Sequence, residues 1–180
     1  VTLGVDLRGC RTPEAVRERV VSVARDLVPT TDAVARETGI PIVNRRVAVT
    51  PVAWVAERPE RSLILEIAAA LDEAAHAVGF REAFAIDRSD AQLLAAIKRS
   101  AHREGRVDEE LMAALPDALA ATRRVCASVN VATTAAGINM DAVRLMGEVV
   151  VATAERTAAD RAIGCAKLVI FANAVPDNPF

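Results

Sequence analysis

Two periods run through the apolar positions of this chain. A period of two marks short strands. In Thr2–Leu7, Leu3, Val5 and Leu7 share one side, while Thr2, Gly4 and Asp6 share the other. Ile42–Thr50 repeats the pattern, setting Val43, Arg45, Val47 and Val49 against Asn44, Arg46, Ala48 and Thr50. Val125–Val131 sets Val125, Ala127, Val129 and Val131 against Cys126, Ser128 and Asn130. Phe84–Ile86 reads as a weak strand and Lys167–Asn173 as the last one, followed by a turn-like Ala174–Phe180.

A period of 3.6 marks helices. Thr12 and Pro13 open the first by N-cap and N1 proline, with Val16, Val20, Val23 and Leu27 as its stripe and Pro29 as its break. A shorter helix restarts at Thr31 or Asp32 and closes at Gly39. Ser62–Val78, Ser89–Glu104 and Asp108–Arg124 follow, the last bent near Pro116, and Val52–Glu57 fits either strand or helix. Asn139 caps a final long helix to about Thr157, with Ile138 placed to staple onto Val143. Strands alternating with helices define an α/β class with right-handed crossovers and a mainly parallel sheet, in a single domain over 1–180.

The composition agrees. Residues are 52% hydrophobic but only 3% aromatic, which favours helices on a buried sheet over a sandwich. A net charge of −2 with no basic stripe argues against nucleic-acid binding. Cys10, Cys126 and Cys165 are odd in number and lack CxxC spacing, so they read as reduced thiols of a cytoplasmic protein, with no metal site. No signal peptide or membrane-spanning run is visible. The chain begins at Val1, so either an alternative start codon is translated literally or the true N-terminus is missing, and it stops without a tail signature.

The polar side of the strands carries the functional hypothesis. Parallel strands covered by helices on both faces are apolar throughout, whereas these present Thr2, Asp6, Asn44, Arg46, Thr50, Cys126, Ser128, Asn130, Lys167 and Asn173 on one side. A sheet that is apolar outward and polar inward suits a barrel with a functional lumen. The expected ligand is a small polar or anionic molecule held by Asn44, Arg46, Thr50, Ser128, Asn130, Asn173 and the loop residues Thr133, Thr134, Gly137 and Asn139. Arg46 is the expected anion anchor, and the amides of residues 133–137, between β-strand and helix N-terminus, orient the ligand. The plainer reading pairs Arg46 with Asp6 and lets the Asn and Ser side chains satisfy one another.

Asp6 and Cys126 are the weak catalytic candidates, although Cys126 between Val125 and Ala127 reads better as an inert buried thiol. His76 and His102 read as surface or helix-end residues, and Arg123 and Arg124 as solvated helix ends. No GxGxxG, Walker A, GxSxG or HExxH motif names a reaction or a cofactor.

Three blocks carry a family resemblance: Ile40–Pro51 (IPIVNRRVAVTP), Val125–Met140 (VCASVNVATTAAGINM) and Gly164–Phe180 (GCAKLVIFANAVPDNPF). They resemble domain of unknown function 711, also called uncharacterised protein family 0210 or "PFL family protein", a bacterial and archaeal family. The resemblance implies an α/β barrel similar to that of pyruvate formate-lyase, but not its chemistry, because the radical glycine and paired active-site cysteines have no counterpart. The matching polar positions are Asn44, Arg46, Thr50, Ser128, Asn130, Gly137, Asn139, Asn173, Asp177 and Asn178. Glu82 and Ala83 stand where the family carries a glycine pair. The expected partners are the ligand and either the missing C-terminal portion of the chain or a second copy, since a half-barrel leaves strand edges unpaired. Family members being longer, the chain is expected to be the N-terminal portion of a barrel protein, and the leading reading is an enzyme-like small-molecule site inside that barrel; a non-catalytic sensor or a structural subunit on the same scaffold are the rival readings.

Overall fold

The computed structural model describes residues 1–52, 55, 60–80, 109–134 and 137–172. In chain order these form β1 (Thr2–Val5), α1 (Pro13–Ala24), α2 (Leu27–Thr38), β2 (Arg46–Val49), α3 (Arg61–Ala77) and α4 (Glu109–Ala121). Then come β3 (Ala127–Asn130), β4 (Ala132–Thr133), β5 (Gly137–Ile138), α5 (Met140–Arg156), a 3₁₀ turn (Ala158–Asp160), α6 (Ile163–Ala166) and β6 (Leu168–Phe171). The strand expected at Phe84–Ile86, the helix at Ser89–Glu104 and the turn at Ala174–Phe180 lie outside the described residues.

Local signals set the helix ends. Thr12 accepts the Ala15 N–H at 3.2 Å and Pro13 occupies the first helical position of α1. Asn139 caps α5 by accepting the Ala142 N–H at 3.1 Å, and Gly39, at φ 70°, closes α2. Three expectations fail here. Pro29 does not break a helix but sits in the first turn of α2, where an N–H has no intrahelical acceptor to lose. The α1 stripe runs Val16, Val20, Ala24, leaving Val23 42% exposed, because the buried row keeps a spacing of four. Ile138 stays 66% exposed, so no staple onto Val143 buries it.

β1 and β2 pair in parallel, Thr2 opposite Arg46 and Val5 opposite Val49; β3 and β6 pair in parallel, Ala127 opposite Leu168 and Asn130 opposite Phe171. The strands are shorter than their alternation, since only residues with a ladder partner count. Helices α1, α3, α4 and α5 pack in succession, α1 on α3, α3 on α4 and α4 on α5. They share one core with the strands: Val5, Val47, Val49, Ala127 and Val129 meet Val16, Ile67, Leu71, Leu115 and Met146. The class is α/β with parallel strands, and no closed barrel is present among the described residues.

After α5 the chain turns through Arg161 and Ala162, both left-handed at φ 55° and 56°. Gly164 follows, and a Cβ there would fall 2.7 Å from Thr153 Cγ2 and 2.9 Å from Thr157 Cγ2. Only glycine lets α6 lie this close to α5, and that approach delivers Lys167 and β6.

Candidate functional site

Because Val5, Val47 and Val49 enter the core, Thr2, Gly4, Arg46 and Ala48 lie on the opposite face of the β1–β2 pair. β3 divides in the same way. Ala127 and Val129 join the core, so Ser128 and Asn130 turn away from it, yet they are only 5% and 9% exposed. Ser128 Oγ, Asn130 Oδ1, Arg46 Nε and Arg45 Nε are all buried without a hydrogen-bond partner, although Arg45 pairs with Asp32 through another nitrogen. Native proteins satisfy the large majority of such atoms, so the orphans at Arg46, Ser128 and Asn130, each on a strand face turned from the core, are informative.

Cys126, the residue before β3, is buried. Burial pushes its thiol up to about 11, while the charges of Lys167 and Arg46 pull the other way. At this value the thiol is protonated near neutrality, which fits the inert reading. Asp6, the other catalytic candidate, is exposed and bound to Arg8 at 2.7 Å. The Arg8 side-chain hydrogen bonds hold its carboxyl down at about 2. The alternative Arg46–Asp6 pair is absent: Asp6 is committed to Arg8.

The remaining expected residues spread out. Arg46 opens β2 and Thr50 follows its end, a span of ~13 Å at strand rise. The Thr50 hydroxyl accepts the Leu7 N–H at 3.1 Å, tying the exit of β1 to that of β2. Asn44 is exposed and precedes the strand, so it does not share the Arg46 face. The expected loop of ligand-orienting amides is instead an antiparallel hairpin: Ala132 pairs with Ile138 and Thr133 with Gly137. Gly137, at φ 75°, supplies the left-handed residue the turn needs. Pairing takes ladder amides out of the ligand-binding role, since each N–H donates once. Thr133 is half-buried, Thr134 exposed, and the Asn139 side chain is engaged as the α5 cap. Asn173, with Asp177 and Asn178, lies outside the described residues.

Lys167 was expected on the polar face and is not there. Its ammonium donates to Leu119 O and to Thr122 O, the latter at 2.5 Å, closing the C-terminal end of α4. Four carbonyls at a helix end lack intrahelical donors, and a cation suits them twice over. Burial pushes the Lys167 pKa below the usual lysine value. Asp72 is a second structural residue that alternation cannot reveal. One of its oxygens accepts the Arg123 N–H at 3.0 Å and the Arg124 N–H at 2.5 Å, and Arg124 Nε donates to Phe80 O at 3.0 Å. Arg124 is thus a clamp on the α4–β3 connection that aims β3, not a solvated helix end; an Asp beside Leu71 in an apolar helix was the available signal.

Among the described residues no three His, Cys, Asp or Glu side chains gather as a metal site, and no helix is long and apolar enough to cross a membrane. What remains is an α/β protein with helices on one face of parallel strand pairs and, on the other, polar side chains that are partly unsatisfied. Residues 1–180 match the family described as Uncharacterised ACR (DUF711), and the chain belongs to that family. It is 49% identical to a "UPF0210 protein" of Desulforudis audaxviator and 44% identical to one of Methanosarcina acetivorans, each alignment covering 100% of this chain. A third, from Syntrophotalea carbinolica, is 45% identical. The chain spans only 39%, 38% and 39% of the lengths of these relatives.

Proposed function

We propose that this part of the family binds a small polar, anionic ligand on the inner face of its strands, inside an α/β barrel similar to that of pyruvate formate-lyase. The barrel is completed by the rest of the longer protein, and the whole works in the cytoplasm. Arg46 is the anion anchor, with Ser128 and Asn130 beside it. One observation carries the reading: the buried atoms Arg46 Nε, Ser128 Oγ and Asn130 Oδ1 lack partners, each on a strand face turned away from the core. An unpaired buried polar group costs about 1–3 kcal/mol, and a ligand that satisfies it returns that free energy as affinity.

Binding is the part of this reading that the unpartnered polar atoms support. An acid or base within reach of Arg46 is what an enzyme requires. Asp6 is bound to Arg8 on the surface, and the Cys126 thiol stays protonated. A sensing or regulatory role therefore stands level with a catalytic one whose acid or base comes from elsewhere in the longer protein.

The test uses a full-length family protein. Metabolites co-purifying with wild type and with Arg46→Ala are compared by mass spectrometry, alongside thermal melts. Loss of a bound acid with an unchanged melt supports the anchor. Parallel loss of ligand and stability makes Arg46 a structural residue.

A further inference from the structure

We infer that one flank of α5 is a helix-docking surface, and that its occupant is the crossover helix following β6 in the longer family proteins. This surface is separate from the ligand site and shares with the proposed function only the continuation of the fold in the rest of the longer protein. Around α5 the side chains fall into sectors. Ala142, Met146, Val149 and Thr153 form the buried row. Asp141, Arg144, Glu148 and Glu155 form the charged face, where Arg144 donates to Glu148 at 2.6 Å. Between the two lie Met140, Val143, Gly147, Val151 and Ala154, within roughly 80° of arc and without a charge. Yet Met140 is 68% and Val151 58% exposed. With the buried row, the apolar sector covers roughly 200°, about twice what one packed face requires.

The opposite flank is already taken by α4, where Asp117 accepts from Arg156 Nε at 2.5 Å. α6 touches the vacant side near Val150, whose carbonyl accepts the Cys165 thiol at 3.6 Å, and leaves Val151 open. Gly147 sits at the middle of the vacant stripe. A Cβ there would meet nothing within 4 Å, so the described chain gives no steric reason for glycine in a helix interior, where alanine is the better residue. A second helix crossing at that point does, because glycine lets the two axes come closest. Topology names the occupant. α1, α3, α4 and α5 pack in succession, and α5 is the crossover between the parallel strands β3 and β6. Crossovers of one hand advance in one direction, so the helix before β3 and the helix after β6 fall on opposite flanks of α5. The chain spans 39% of the length of its Desulforudis audaxviator relative, which leaves more than half of such a protein to supply that helix.

Maleimide labelling of a full-length family protein, read by peptide mass spectrometry, compares Val151→Cys with Glu148→Cys on the charged face. Position 151 should label at least about tenfold more slowly than 148 in the native protein, and both should label alike in urea. A photo-cross-linking amino acid in place of Val151 should couple within the same chain, to a segment beyond Phe180. Gly147→Leu separates the cases by sign. It should lower the melting temperature where a helix crosses and raise it where the face meets solvent, since leucine is the better helix former. Equal labelling at 151 and 148, or a raised melting temperature, overturns the docking. Protection lost on dilution, or a cross-link to a second copy or to another protein, overturns the intrachain occupant. If Gly147→Leu does not fold, labelling and cross-linking decide. None of these outcomes touches Arg46, whose ligand stands or falls by the Arg46→Ala comparison.

Discussion

Arg46 and Lys167 are two cations whose charges both act on the buried thiol of Cys126, and they live under opposite rules. Lys167 is 3% exposed, lines a cavity of about 270 Å³, and has already given two N–H groups to the carbonyls that end α4. Arg46 is less deeply placed, but its buried Nε has no partner. The more buried cation is thus the satisfied one. Depth alone does not mark a binding residue. Lys167 belongs to the architecture because its partners are main-chain atoms that cannot leave. Arg46 can accept a visitor because nothing in the described structure occupies its Nε.

The widest test of this contrast is a pair of methionine substitutions that keep the alkyl stems. Lys167→Met strands two buried carbonyls and should lower stability by roughly 2–4 kcal/mol in urea melts. Arg46→Met should change it by no more than about 0.5 kcal/mol. Similar losses for both would erase the distinction. Gly164→Ala tests how Lys167 is delivered: its Cβ would collide with Thr153 and Thr157, costing about 1–3 kcal/mol, and a neutral result would show that α6 can shift away.

Cys126 reports on both cations at once. With its pKa near 11 it should be alkylated at pH 8 about a hundredfold more slowly than a free cysteine in solution. Arg46→Met removes one of the charges that lower that pKa and should slow alkylation further; no change would place Arg46 too far away to matter. The smallest effect is at Asp6. As pH falls, the unfolded carboxyl takes up its proton near 3.8 and the folded one only near 2, so stability is full above 3.8 and is lost through that interval. Asp6→Asn should flatten this slight acid dependence. A pronounced acid loss confined to wild type would mean that Asp6 does more than hold Arg8 on the surface.

The helix caps at Thr12 and Asn139, the stop at Gly39, the parallel α/β class and the family were legible in order of residues alone, because each depends on neighbours within a few positions or on a direct match. Strand alternation also identified correctly which side of β2 and β3 faces the core: Val47, Val49, Ala127 and Val129 are the apolar members, and Arg46, Ser128 and Asn130 are not. Tertiary structure decided the rest. That Lys167 leaves the polar strip for the end of α4, that Asp72 holds the connection before β3, and that Thr133 and Gly137 pair as a hairpin are all matters of who stands opposite whom. Periodicity assigns a side chain to a face, but a hydrogen bond needs a partner, and partners forty to fifty residues away are chosen only when the chain has packed.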